Sequence, residues 1–476
     1  MRKLGLSLVA LVILVPVFYA IELWRGKAAW TKVQTEAVQK SWLVSLEETI
    51  PPSVPDAENF AMTPLLKPIY PAVRGGYATD LDKKLDWLAD YEWPDDEDAL
   101  QDIWTTSRAF HLAAWQKAAG GDVLAGLKIF DREMAEIASA VRRPYSRFPL
   151  EYEKGYAMWV RHVGILDKLT KLYELRALAE LNEGRADAAV EDAVTLIRLS
   201  AATTGEATWI SQLFSKKDLE NSLQVVWEGL ERHQWSDAQL VAMDKELMRL
   251  DYFAGMKRAQ MADTVQADRM LEGLTTNNHD LAEVLGPVSL SRGTRPPELG
   301  WRVAAFLFPR GWIYQSRAIC VRTYLDWMAC IDFKNRRADT KTMEMLMKHT
   351  ADLSGSPESF LADIFLPNIF GTRTMLRGQE EADLARVACA LERYRLAQGQ
   401  WPETLEQLAP RFIDKVPMDV VTGEPLHYHT SLTGRYVLYG VGWNRSDDGG
   451  VRGEKDGQPD MASGDWIWPQ QVPAKL

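Results

Sequence analysis

The chain has 476 residues, and its 55 Lys and Arg against 66 Asp and Glu give a formal net charge of −11. A chain of this length is expected to form one to three domains, each able to bury a large core. The acidic balance and the lack of any Lys- or Arg-rich block in the sequence exclude the usual electrostatic footprint of a nucleic-acid-binding protein. We therefore expect no nucleic-acid partner.

The N-terminus predicts a membrane anchor over residues 1–24. Two basic residues precede Leu4–Ile21, a segment without any charge. As a helix this segment would be about 27 Å long, which is close to the hydrocarbon thickness of a bilayer. A cleaved signal peptide is the alternative, but Phe18 occupies a position where cleavage requires a small side chain. We expect a single-pass protein of the bacterial inner membrane, with the bulk of the chain exported to the periplasm.

The next two segments are predicted to connect this anchor to the rest of the protein. Residues 25–50 have the apolar spacing of an amphipathic juxtamembrane helix, which ends at consecutive prolines. Residues 51–78 are rich in proline and predict an extended arm. Within this arm, residues 59–66 are apolar enough to pack on the body of the protein.

Residues 79–365 are predicted to form a helical domain. Its beginning, at 80–102, combines acidic and aromatic residues and is expected to be a solvated face with apolar anchors. Further along, residues 172–184 and 186–199 have two helical patterns with small residues at their crossing. This pair resembles a tetratricopeptide-like hairpin, and residues 109–130 resemble it more weakly. The resemblance implies helix hairpins packed side by side.

Two local features of this domain stand out. Ser236 and Gln239 have the spacing of a capping box, which predicts a helix that begins at residue 237. Residues 275–311 interrupt the helical pattern and predict an irregular loop. The apolar end of this loop, Trp301–Pro309, either packs on the helical body, dips into a membrane surface or covers a groove.

No sequence motif for catalysis is present, since HExxH, GxSxG, GxxxxGK[ST] and GxGxxG after a strand are all missing from the sequence. We therefore predict no catalytic and no cofactor-binding residues, and we expect a protein that is not an enzyme. His427 and His429 alternate on a predicted strand and project from one face about 7 Å apart. With no Cys or carboxylate at ligand spacing, they are expected to be exposed strand positions.

The loop after Gly442 is the better candidate for a metal site. It carries Asp447 and Asp448, several glycines that permit bending, and a return at Asp465. Ca²⁺ usually takes about six to eight oxygen ligands from carboxylates and carbonyls in a loop that folds round it. The alternative is a solvated acidic turn.

The order of parts at the C-terminus resembles the globular domain of the type II secretion major pseudopilin. A helical pattern at 382–396, with the stretch that runs to Pro402, is followed by a Pro- and Gly-containing turn at 417–425, an alternating strand at 435–442 and an acidic loop. The resemblance implies a small α+β module over residues 366–476 whose loop binds calcium. Asp447, Asp448 and Asp465 occupy the matching places. The dipeptide Trp443-Asn444 and a longer intervening segment depart from the family pattern.

Together these patterns predict a mainly α fold with an N-terminal transmembrane helix, an α-helical hairpin or repeat-like domain, and a small α+β pseudopilin-like module. We expect a membrane-anchored envelope scaffold or protein-binding protein whose partner is another envelope protein. One alternative is an accessory component of a type II secretion or pilus-like system. Another is a hydrolase whose site is not visible in the sequence.

Overall fold

The computed structural model describes residues 2–74, 79–86, 123–285, 299–353, 356, 358–363, 369–430, 435–455 and 458–469. Helices make up most of these residues, and the strands are short, so the prediction of a mainly α fold is confirmed. The acidic stretch at 87–102, most of the weaker hairpin at 109–130 and residues 286–298 of the predicted irregular loop lie outside the described residues. The described parts of that predicted loop are largely helical, at Asn278–Leu285 and Leu299–Leu307, and not irregular as predicted.

The helices before residue 250 are α1 (Arg2–Gln39), α2 (Leu46–Thr49), α3 (Ile69–Arg74), α4 (Asp80–Asp86), α5 (Val123–Leu127), α6 (Asp131–Ala140), α7 (His162–Asn182), α8 (Ala186–Ala201), α9 (Trp209–Glu231) and α10 (Asp237–Leu247). The later helices are α11 (Tyr252–Leu274), α12 (Asn278–Leu285), α13 (Leu299–Leu307), α14 (Arg310–Ala329), α15 (Thr340–Leu353) and α16 (Ile369–Gln398). The strands are β1 (Ile331–Asp332), β2 (Arg337–Ala338), β3 (His427–Thr430), β4 (Tyr436–Gly440), β5 (Arg452–Lys455), β6 (Gln458–Gly464) and β7 (Trp466–Trp468).

The chain folds into two compact units, each built from separate segments. Unit 1 contains residues 1–50, 260–331 and 341–368. Unit 2 contains residues 51–259, 332–340 and 369–476. The sequence patterns describe consecutive segments, whereas these units are assembled from segments far apart in the chain.

In unit 1, the core lies between α1 and α14. Apolar residues repeat on one face of each helix and pack together: Trp30, Val33, Ala37, Ala318, Val321 and Leu325. The two helices run in the same direction, because Gly26 meets Gly311 while Glu36 further along α1 pairs with Arg322 further along α14. A second apolar cluster joins α11, α12, α13 and α14.

In unit 2, α7 and α8 form the predicted hairpin, and the chain reverses at Gly184, whose φ is +72°. Helix α9 packs on both, and α16 packs on α9 and α10. Residues of the Pro-rich segment contribute to this unit, since Phe60, Leu66 and Ile69 are buried. The repeat-like packing of helices is therefore as predicted.

The predicted start of α10 is confirmed. Ser236 accepts the backbone N–H of Gln239, and the side chain of Gln239 accepts the N–H of Ser236. Two backbone donors that the first helical turn leaves unpaired are satisfied in this way. The adjacent Trp235 and Leu240 are both buried and fix the entry of the chain into the helix.

The C-terminal module is an antiparallel sheet with the order β3-β4-β7 and a separate hairpin of β5 and β6. In the sheet, Leu438 of β4 faces Tyr428 of β3 and Trp468 of β7. The last part of α16 packs against β4 and β7. The described part of this region therefore combines a helix with short antiparallel strands, and it belongs to unit 2 together with residues 51–259.

The predicted anchor segment lies in α1. The side chains of residues 1–11, which include the first half of that segment, are outside the described residues. Over the part of the chain that is described, no helix combines the length and the apolarity that a membrane span requires.

Candidate functional site

Asp465 is the central acceptor of the acidic loop. Its side chain is buried, and its carboxylate accepts the backbone N–H of Gly450 at 2.7 Å and that of Asp448 at 3.2 Å. Its own N–H donates to the carbonyl of Val451 at 2.8 Å. Burial raises the pKa of this carboxyl group, while the backbone N–H groups oppose the rise. Asp465 therefore closes the loop by binding its backbone.

Asp447 faces the strands instead. Its carboxylate accepts the N–H of Gly449 and the phenolic O–H of Tyr439, each at 2.9 Å. The same carboxylate lies 3.4 Å from Nδ1 of His427, whose ring stacks on Tyr439 with centroids 4.9 Å apart. The bond from the Gly449 N–H, followed by the bond from Tyr439, lowers the pKa of Asp447.

The sequence analysis expected no carboxylate beside His427, and the structure corrects this. Asp447 belongs to the acidic loop, twenty positions after His427 in the sequence. The pairing of β3 with β4 brings its carboxylate to the imidazole. Sequence spacing shows ligand pairs within one element, whereas this pair depends on the register of two strands. Asp448 points elsewhere and accepts the amide of Asn444 at 2.9 Å.

The three predicted calcium ligands thus belong to one loop but do not converge. Within the described residues, the one group of three possible ligands close enough to hold an ion is His279, Asp280 and Glu283, all exposed on α12. Exposed acidic groups of this kind are common without a metal. Calcium binding by Asp447, Asp448 and Asp465 stays a proposal, because ligation would require their carboxylates to turn from the hydrogen bonds that they now make.

The departure from the pseudopilin pattern at Trp443 has a structural role. The indole is buried, and the Arg373 guanidinium lies over its ring at 4.5 Å from the centroid. The carbonyl of Trp443 accepts the Thr340 hydroxyl at 3.0 Å. A large aromatic residue therefore fixes the start of the acidic loop.

A buried pair of carboxylates, which the sequence analysis missed, joins α16 to this module. Glu380 accepts the N–H of Val420 at 3.0 Å, and the neighbouring Asp419 accepts the N–H of Val441 at 2.7 Å. Both face Gly440, where a Cβ atom would lie 2.1 Å from a Glu380 oxygen. Burial, and then the charge of Asp419, hold the pKa of Glu380 well above its usual range.

The residues next to Glu380 in the sequence do not indicate that its side chain is buried. It lies in the run Gln379-Glu380-Glu381, which reads as a solvent-facing part of a helix. All three side chains are buried because α16 is enclosed by several elements of unit 2. The length of α16 could have indicated this burial, because a long central helix packs against its neighbours on more than one face.

A second buried polar network surrounds His162. Its Nδ1 lies 2.5 Å from the Tyr70 hydroxyl and its Nε2 2.9 Å from the Glu206 carboxylate. Glu206 also accepts the Ser211 hydroxyl, and Phe148 stacks on the imidazole with centroids 4.0 Å apart. All of these side chains are buried, so the two ring nitrogens of His162 have polar partners inside the fold and the histidine has a structural role.

The remaining candidate is the apolar surface at the start of α1. From Val12 to Ile21 every side chain except the half-buried Tyr19 is exposed. Burial begins at Glu22, which accepts Trp312 Nε1 at 3.1 Å and Gln315 Nε2 at 2.9 Å. The described side chains of α1 therefore fall into two parts, an exposed apolar part at Val12–Ile21 and a part packed on α14 from Glu22 onward.

Comparison of the chain with family models, with curated proteins and with solved structures finds no match.

Proposed function

We propose that this protein is a membrane-anchored, non-enzymatic scaffold or protein-binding protein of the bacterial envelope. The observation that carries the proposal is the exposed apolar part of α1. It includes Val12, Ile13, Leu14, Val15, Val17 and Phe18, which share an exposed fraction above 40%. Transfer of such a side chain from water to an apolar medium is favourable by about 1.5–3 kcal/mol. A helix that is apolar all round suits lipid better than water.

The length of α1 before Glu22 fits the same role. Residues 2–21 of α1 would extend about 30 Å as a helix, close to the thickness of the hydrocarbon layer. The uncharged segment Leu4–Ile21 falls within it. We propose a single pass through the inner membrane, with the remainder of the chain in the periplasm and bound to another envelope protein.

A binding role is supported by unit 2. Its helices form hairpins packed side by side, an arrangement that proteins with repeated helices use to present extended surfaces. Two carboxyl groups whose pKa values burial raises well above the usual range, Asp218 and Glu380, are fully enclosed, the first beside Thr170 and the second beside Val420. Their hydrogen bonds hold packed elements together, which is a structural role.

The proposal is tested with the full chain in its native membrane. Protease added to sealed spheroplasts should degrade the large C-terminal part, and alkaline extraction should leave the intact protein in the membrane fraction. A variant that lacks residues 2–21 is the control and should be released by extraction. Protection of the large part from protease would contradict the orientation, and release of the intact chain would contradict the anchor.

The binding role needs a separate experiment. Cross-linking in intact cells followed by purification of the full chain should recover one envelope protein in a constant ratio. The same experiment with the variant lacking residues 2–21 shows whether capture requires the membrane. Hydrolysis of an envelope component by the purified chain, without any captured partner, would favour the hydrolase alternative.

A further inference from the structure

Helix α13 exposes an unusual number of large apolar side chains for its length. Leu299 is 75% exposed and Phe306 73% exposed, and Trp301, Val303 and Leu307 are exposed as well. Ala305 alone is fully buried, in the cluster that α13 shares with α12. A short helix that holds its place through one small residue and presents its apolar side chains outward is typical of an interaction surface.

The position of α13 identifies what this surface meets. Because α1 and α14 run in parallel, the start of α14 lies beside the residues where α1 leaves its packed part. The Tyr19 hydroxyl donates to the carbonyl of Leu307, and Phe18 and Phe308 each meet the Trp312 ring, with centroids 6.2 and 5.5 Å away. The C-terminal end of α13 thus lies beside the last residues of the exposed apolar part of α1, at the same height along the axis of α1.

The charges around this level suit an acidic membrane surface. Arg302 of α13 is exposed, and so are Arg25 and Lys27, which follow the apolar part of α1 by one to two turns. Glu22, at the same level, is buried, where it pairs with Arg25 and accepts the side-chain N–H groups of Trp312 and Gln315. The neighbouring helix α12 carries the exposed acidic residues Asp280 and Glu283. Basic side chains beside an apolar face are what an interfacial helix presents to anionic headgroups.

We propose that α13 lies in the boundary between headgroups and acyl chains of an anionic bilayer, beside the point where α1 enters it. This inference rests on the proposed membrane anchoring by α1. A second copy of the chain fits this surface less well, because the apolar face of α13 continues into the segment of α1 that the bilayer surrounds. The helix then gives unit 1 a second contact with lipid and restricts its tilt on the membrane.

The test places a nitroxide label at single introduced cysteines in the full chain. The natural Cys320, Cys330 and Cys389 are buried, so the introduced thiols are the accessible ones. Phe306→Cys reports on α13, Val15→Cys on the anchor and Val38→Cys on the exposed far end of α1, about 25 Å beyond residue 21. The protein is reconstituted into vesicles of phosphatidylcholine and phosphatidylglycerol in equal parts.

Collision of the label with oxygen, which dissolves in lipid, is compared with collision with a water-soluble nickel chelate. At Phe306→Cys and Val15→Cys we expect oxygen to dominate, and at Val38→Cys we expect nickel to dominate. If position 15 is in lipid while position 306 is in water, α13 does not touch the membrane and the anchor stands. If position 15 is also in water, the proposed anchoring itself is wrong.

Other occupants give different results. A second copy or a protein partner on α13 would protect the label at 306 from both reagents, and a second copy would add dipolar broadening between labels. In vesicles of phosphatidylcholine alone, the oxygen preference at 306 should weaken, whereas that at 15 should not. An equal preference at 306 in both vesicle types would overturn the assigned role of Arg302 and its basic neighbours.

Discussion

At the scale of single residues, the acidic loop depends on one carboxylate. Asp465 is buried and accepts backbone N–H groups of residues 448 and 450, whereas Asp448 is exposed and accepts one amide of Asn444. We therefore expect Asp465 to contribute more to the free energy of unfolding than Asp448, although both belong to the same loop. A hydrogen bond to a charged acceptor contributes about 1.5–3 kcal/mol to stability, more than one between neutral groups.

Asp465→Ala should accordingly lower the free energy of unfolding by about 1–3 kcal/mol, since it leaves two backbone N–H groups without their acceptor. Asp448→Ala, the matched control, should change it by less than about 0.5 kcal/mol, as exposed substitutions usually do. Denaturant titration of the full chain in detergent measures both. Equal effects of the two substitutions would show that the loop is not closed by Asp465.

Glu380 should make stability depend on pH. Its folded pKa lies above the unfolded value of about 4.3, so its contribution is fully present below that value and is lost as the pH rises through the folded pKa. Within this window, the loss is about 1.4 kcal/mol for each pH unit. Glu380→Gln has nothing to titrate and should be less sensitive to pH.

The measurement compares unfolding free energies of the two proteins over a pH series. The difference between them should favour Glu380→Gln increasingly as pH rises above the unfolded pKa. Glu403→Gln, at an exposed position, is the control and should follow the natural protein. Parallel curves for all three proteins would mean that the carboxylate of Glu380 is hydrated in the folded state.

At the scale of elements, the contact between α1 and α14 depends on two glycines. A Cβ atom on Gly311 would lie 2.1 Å from the carbonyl oxygen of Glu22, and one on Gly26 would lie 2.2 Å from that of Gly311. Both obstacles are backbone atoms, so the helices would have to separate. Small residues at such a crossing let two backbones approach closely.

Gly311→Ala should therefore destabilise unit 1 by about 1–3 kcal/mol, the usual cost of an overpacked contact. Gly273→Ala in α11 meets open space and should be neutral or stabilising by up to about 1 kcal/mol, because alanine favours helix. Thermal unfolding in detergent checks the pair. Similar melting temperatures for both variants would show that α1 and α14 do not pack at Gly311.

The acidic loop as an element provides the test of calcium binding. A ligand that binds the native state alone stabilises it in proportion to RT ln(1 + [L]/Kd), so millimolar calcium should raise the melting temperature. The double variant Asp447→Ala, Asp448→Ala should abolish the increase. Asp414→Ala, at an exposed position outside the loop, is a control for lost surface charge and should keep it. Identical melting curves with calcium and with chelator would show that the acidic loop is a solvated turn that does not bind calcium.

At the scale of the whole molecule, α1 has two roles under the proposed function: its first part would anchor the chain in the membrane, and its second part packs in the core of unit 1. Removal of residues 2–21 should leave the fold intact and release the protein from membranes, because the described side chains before Glu22 are largely exposed. Removal of residues 2–39 should cause aggregation, because Val321 and Leu325 lose their cover.

Far-ultraviolet circular dichroism and size-exclusion chromatography without detergent compare the two truncated chains. The shorter deletion should give a monodisperse helical protein. Aggregation of both truncated chains would show that residues before Glu22 contribute to the core of unit 1. Solubility of both would mean that α14 needs no partner helix.

The sequence by itself determined the features that rest on neighbouring residues. The helix that begins after Ser236, the reversal at Gly184 and the mainly helical fold follow from capping, backbone freedom and periodicity, all of which act over a few positions. The tertiary structure alone decided the rest. It paired α1 with α14 almost three hundred residues away, and it set Asp447 beside His427.

The candidate site shows the same division. Composition located an acidic loop containing Asp447, Asp448 and Asp465, yet the fold directs these carboxylates to different partners. It also buries Glu380 within α16, where the local pattern indicates solvent. The physical reason is that hydrogen-bond partners and burial depend on which distant segments a residue meets, and a run of neighbouring residues contains no record of that choice.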